Sequence, residues 1–131
     1  MSSRFMVFLA VCATALAMVA PSAAAPPAAV SVQIERQATF GTLPGTIVLV
    51  IDITCPTGQL ANMFVAVSQQ QPVGPNRNGF GSQFGILCTG TKQVFGLTVG
   101  PGPFTAGDAF ASVEAVAGDF VVFDSRVITI G

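Results

Sequence analysis

From residue 30 onward the chain alternates apolar and polar positions with a period of two. No stretch carries the three-and-four spacing of an amphipathic helix. Val30, Val32 and Ile34 alternate with Ser31, Gln33 and Glu35, which predicts a first strand continuing towards Phe40. Leu43-Pro44-Gly45 reads as a turn. Ile47, Leu49, Ile51, Ile53 and Cys55 then share one face of a second strand. Val48 and Val50 make its other face apolar as well, as expected of a strand central in its sheet. Leu60 to Gln69 predicts a third strand, with Met63, Val65 and Val67 on one face, and the polar stretch from Ser68 to Gly79 reads as loop.

Phe80, Phe84, Ile86 and Cys88 are expected on a common face of the next strand, followed by a tight turn at Gly90. Phe95, Leu97 and Val99 predict another strand, which Gly100-Pro101-Gly102-Pro103 should break sharply. Ala109, Ala111, Val113, Ala115 and Ala117 form one face of a further strand. Gly118-Asp119 is a hairpin turn. Phe120 to Ile130 is the last strand, interrupted by Asp124-Ser125-Arg126 as a bulge or polar edge. Some seven short strands separated by turn signals predict an all-β fold, a single immunoglobulin-like antiparallel β-sandwich. The alternative is a small β-barrel. An antibody-type domain is excluded, because the chain has no Trp and no Tyr.

The first residues follow a different pattern. Arg4 precedes an apolar and small-residue run from Phe5 to Ala20, then Pro21 and Ser22-Ala23-Ala24-Ala25. This is the three-part pattern of a secretory signal, expected as a helix over residues 1–24 and cut after Ala24. A retained anchor is disfavoured, since the run falls short of the roughly 20 residues a spanning helix needs. Lipid attachment at Cys12 is disfavoured by the bulk of Val11 before it. Residues 25–29 form a Pro/Ala spacer and residues 30–131 the folded domain, which is expected to be secreted, monomeric and without a stable membrane anchor after cleavage.

Composition then narrows the chemistry. The 131 residues include 51% hydrophobic and 8% charged residues and no His. Without His there is no Ser-His-Asp or Cys-His set and no imidazole metal ligand. Removing the signal takes Arg4 away and leaves four basic against six acidic side chains, no surface for nucleic acid. It also removes Cys12, so Cys55 and Cys88 remain as one expected disulfide in an oxidising compartment.

Asp52 is the most unusual acid, lying in an apolar strand; its face is expected to turn to solvent, with a partly buried carboxylate as the alternative. Asp108, Glu114, Asp119 and Asp124 are scattered singly, without calcium-loop spacing. Gly79 to Gly85 does not have the spacing of a phosphate loop, and Ser82 is not in a nucleophile elbow. No catalytic residue, metal site or cofactor is expected. Phe64, Phe84, Phe95, Phe110 and Phe123 occupy strand positions and are expected in the core. The candidate contact surface is the loop Gln69 to Gly79, in which Gln70, Gln71, Asn76, Arg77 and Asn78 offer donors, acceptors and one cation.

Thr54-Cys55-Pro56 through Gly58, Val65-Ala66-Val67-Ser68-Gln69, Cys88-Thr89-Gly90 and Phe104-Thr105-Ala106-Gly107-Asp108-Ala109 resemble a group of small exported actinobacterial proteins. Those have a Cys-containing strand, a strand ending in Gln, a Cys-x-Gly turn and a Phe-x-x-Gly motif. The resemblance spans most of residues 45 to 117 and implies an immunoglobulin-like sandwich and export, with no assigned activity. Phe95 stands where such proteins tend to carry Trp, and no site residue transfers.

The expected function is non-enzymatic binding of an extracellular protein or surface component. A carrier of small hydrophobic ligands is the alternative, and a carboxylate-dependent hydrolase the alternative of another class. Mass spectrometry of the exported protein should show Ala25 at its N-terminus and a mass two hydrogens below the fully reduced chain. An N-terminus at Met1 or Ser2 would reject the signal reading.

Overall fold

The structure is a computed structural model and describes residues 29–131. The signal segment 1–24 and nearly all of the 25–29 spacer lie outside the described residues. Among the described residues there are eight strands and no helix: β1 (Ser31–Ile34), β2 (Gln37–Phe40), β3 (Ile47–Thr54), β4 (Leu60–Gln69), β5 (Arg77–Leu87), β6 (Gln93–Gly102), β7 (Gly107–Ala117) and β8 (Phe120–Ile130).

The two layers of a sandwich are present, one made of β1, β3 and β6, the other of β8, β7, β4 and β5. They are joined at two corners. β2 pairs antiparallel with β3 at Thr39↔Val48 and parallel with β8 at Gln37↔Thr129. On the other side β6 leaves β3 and pairs with β5 at Asn78↔Gly102. The ring β3-β2-β8-β7-β4-β5-β6 therefore returns to β3, a closed barrel of seven strands with β1 added outside it.

Two local predictions change for the same reason, that corner strands serve both layers. The single strand expected from Val30 to Phe40 is divided at Glu35 and Arg36, because β1 pairs with β3 while β2 crosses to β8. β6 likewise runs through Gly100-Pro101-Gly102 where a sharp break was expected, since that segment supplies the pairing to β5. The expected interruption at Asp124-Ser125-Arg126 is absent; β8 pairs with β7 without a register shift from Phe120 to Ile130.

Inward positions are filled almost entirely by aliphatic side chains. Ile47, Leu49, Ile51 and Ile53 of β3 are fully buried, as are Met63 and Ala61 of β4 and Ile128 of β8. The central strand β7 contributes Ala109, Ala111, Val113, Ala115 and Ala117. Space is also tight at the corner where β5 meets β6. At Gly81 of β5 even a Cβ atom would stand 2.6 Å from the Thr98 carbonyl oxygen.

Phenylalanines divide accordingly. Phe104 is buried and Phe95 packs against the core. Phe64, Phe84, Phe110 and Phe123, expected inside, are 43%, 60%, 52% and 68% exposed. Phe84 and Ile86 do not share a face. Gly85 adopts φ +67° in a β-bulge, so that Phe84 and Gly85 together oppose Asn62 and the parity of β5 inverts. Its amide donates to Asn62 Oδ1 at 3.0 Å, and Ile86 and Cys88 are thereby turned inward.

The ring is hydrogen-bonded closed at one end and splays at the other, where other bonds replace the ladder. Cys55, just past β3, and Cys88, just past β5, form a buried disulfide with 5.3 Å between Cα atoms. The Gly58 amide donates to Cys88 O and the Gly90 amide to Cys55 O, at 3.0 and 2.9 Å. Gln93 Nε2 donates to Leu87 O across the gap between β5 and β6. Replacing both cysteines by Ser should lower the unfolding free energy by about 3–4 kcal/mol. Urea denaturation measures it: the midpoint falls and the slope rises, because the uncrosslinked chain exposes more surface when unfolded. An unmoved midpoint would deny the disulfide a structural role.

Candidate binding surface

The outward positions of β5, β4, β7 and β8 form one continuous face, and the registers arrange it in rows. Asn78, Ser68, Phe110 and Val127 make the first row across the four strands. Phe80, Ala66, Ser112 and Ser125 make the second. Ser82, Phe64, Glu114 and Phe123 make the third. Beyond them Phe84 packs edge-on against Phe64, with ring centroids 5.3 Å apart. Small residues in the second row leave an open depression of about 240 Å³ walled by Phe64, Phe80 and Phe123, with Glu114 on its margin.

This face follows from the alternation. Each strand must give one face to the narrow interior, where small and β-branched side chains fit, and the other to the outside. On β7 the alanines go in, so Phe110, Ser112 and Glu114 go out together. Phe80, the most exposed of the five, is 69% accessible.

The loop residues singled out from the sequence are distributed around one end of this face. Gln70 and Asn76 line a second cleft of about 380 Å³ with Ser68, Asp108, Phe110 and Val127. Gln71 turns away from it, its Nε2 donating to Pro75 O at 2.9 Å within the loop. Arg77 and Asn78 do not belong to the loop: they are the first residues of β5, paired with Gln69 and Ser68. The loop closes sooner than its polar composition suggested because β5 must reach β6 at the corner. Gln69 is buried and structural, with Nε2 donating to Thr105 O at 2.8 Å and Oε1 accepting from Thr105 N at 3.0 Å.

Three of the acids stand apart and two share a cleft. Glu114 lies on the aromatic face, Asp108 at the start of β7 and Asp119 in the hairpin turn. Asp52 and Asp124 line a third cleft of about 330 Å³ with Gln33, Lys92 and Arg126. Asp124 is engaged there, its Oδ2 accepting from Ile34 N at 2.8 Å and lying 3.7 Å from Arg126 Nε. It caps the edge of β1 that no strand covers. Asp52 is half-buried on β3, with Oδ1 enclosed and without a hydrogen-bond partner. A neighbour two strands away cannot be read from local sequence, so the meeting of Asp52 with Asp124 had no signal in it.

No protein-family model matches the chain, and no curated protein is significantly similar to it. The clasp beside the loop can be tested directly. Gln69→Ala removes the three bonds to Thr105 and leaves the exposed Thr105 backbone to pair with water, a loss of about 1–2 kcal/mol. Amide exchange at Thr105 should accelerate with it, and an unchanged exchange rate would show that the segment is held by other means.

Proposed function

We propose that the chain is a secreted, non-enzymatic module that binds an extracellular protein or surface component through the outer face of β5, β4, β7 and β8. The observation that carries this is the gathering of Phe64, Phe80, Phe84, Phe110 and Phe123 on one exposed face. Five rings about half accessible expose roughly 500 Å². Apolar patches of that size, the largest a typical monomer carries, are often functional contact surfaces.

The polar residues at one end, Gln70, Asn76 and Asn78, supply the hydrogen-bonding rim that such interfaces have around an apolar centre. Secretion is supported by the signal pattern, by the disulfide, and by the resemblance to small exported proteins. A non-enzymatic role is supported by the absence of His and by the engagement of Asp124 as a strand cap. The carrier reading has less behind it, because the exposed rings line no interior cleft.

Surface substitutions away from structural contacts shift stability by within about 0.5 kcal/mol. The triple variant Phe80→Ser, Phe110→Ser, Phe123→Ser should therefore keep its urea midpoint while losing at least tenfold of its binding to surface extracts of the producing cells. Replacing residues 70–76 by Gly and Ser should weaken binding less. Equal retention of the triple variant and the unaltered protein would reject this face as the contact surface.

A further inference from the structure

Glu114 is the only charged residue within the three rows of aromatic and small side chains. On its two sides, in register, stand Phe64 of β4 and Phe123 of β8. Neighbouring strands lie about 4.8 Å apart, so the two phenylalanines flank the carboxylate with about 10 Å between them. A cation over an aromatic face is held within about 6 Å of the ring centroid. A planar cation seated in the depression beside Glu114 is therefore within reach of the rings and of the carboxylate. Ala66 and Ser112 in the adjoining row leave space for the group to enter.

Nothing in the described part of the chain supplies that cation. Glu114 has no ion pair and no side-chain hydrogen bond there; the one ion pair is between Arg126 and Asp124. Lys92 and Arg126 line the cleft beside β1, Arg36 lies between β1 and β2, and Arg77 opens β5 opposite Gln69. A second copy docked on this face by a two-fold axis would bring its own Glu114 and no cation. A free small cation would be poorly enclosed, since ligand pockets bury most of their ligand and this depression is open.

We propose that the depression receives an arginine side chain of a protein partner, carried on an apolar surface that covers the surrounding phenylalanines. Arginine suits it better than lysine, because the guanidinium is planar, less strongly hydrated, stacks on aromatic rings and meets a carboxylate through two donors. This inference rests on the reading of the outer face as the contact surface and specifies what that surface recognises.

Random twelve-residue peptides displayed on phage, selected against the intact disulfide-bonded protein, test it. Enriched sequences should carry one Arg flanked by apolar residues. The synthetic peptides should lose roughly tenfold in affinity on Arg→Gln, and the same on Glu114→Gln in the protein. The two changes together should cost little more than either alone. Phe123→Ala should weaken binding further, with far-ultraviolet dichroism unchanged and the urea midpoint nearly so.

Peptides lost on Phe123→Ala yet indifferent to Glu114→Gln would overturn the arginine inference and leave the face as the contact surface. Peptides indifferent to every substitution, or no enrichment at all, would overturn both. A dimer seen by sedimentation and abolished by Phe123→Ala would place a second copy on the face and overturn the proposal.

Discussion

The width of the barrel interior governs the rest of the structure. Seven strands close around a space that admits Ile, Leu, Val and Met from the outer strands and little more than alanine from β7. At the corner between β5 and β6, Gly81 and Thr98 leave no room even for a methyl group. A phenyl ring on an inward position of β7 would force the layers apart and open voids along its length, which close-packed interiors do not tolerate. The phenylalanines of β4, β5, β7 and β8 are therefore found outside, while Phe104 and Phe95 pack against the core. Core and contact surface are two results of one steric limit: the small residues that make the barrel close are the reason its apolar surplus is outside.

Where backbone pairing stops, the chain uses something else. The disulfide and its flanking loop bonds span the splayed end, Gln93 bridges β5 and β6, and Asp124 takes the Ile34 amide at the end of β1. Unpaired strand edges invite association with other chains. Here each gap has its own closure, which leaves side chains on the broad face, and not backbone edges, as the part of the molecule open to a partner.

Much of the strand pattern was legible in the sequence. Parity alone places Ile47 to Ile53, Met63 to Val67 and the alanine row of β7 inward, and Gly118-Asp119 in the hairpin. Parity does not say which of two apolar faces is the inner one. For β7 a signal was present: Phe110 shares its side with Asp108, Ser112 and Glu114, and that company marks the solvent face. For β8 the signal misleads, because Asp124 and Arg126 share their side with the buried Ile128 and Ile130. Asp124 caps β1 through the Ile34 amide and Arg126 pairs with Asp124, a long-range arrangement that no local spacing encodes. The bulge at Gly85 is similar. One glycine looks like any other until a neighbouring strand requires an extra residue, and that residue decides that Phe84 faces out and Ile86 in.

The parallel pairing of β2 with β8 carries a consequence for how the molecule comes into being. Residues 37 and 38 are made early, and their partners, Thr129 and Ile130, come at the far end of the sequence. The closing pairs thus span almost the whole domain, and such long loops must be ordered before the contacts that reward them can form. A chain emerging from its N-terminus can assemble β3 to β7 in turn, yet holds an open, unsealed sheet until the last strand is out. The β2–β8 seam therefore waits on the arrival of β8, however early β2 is made. A barrel closed by such a pair cannot be sealed from its first strands alone.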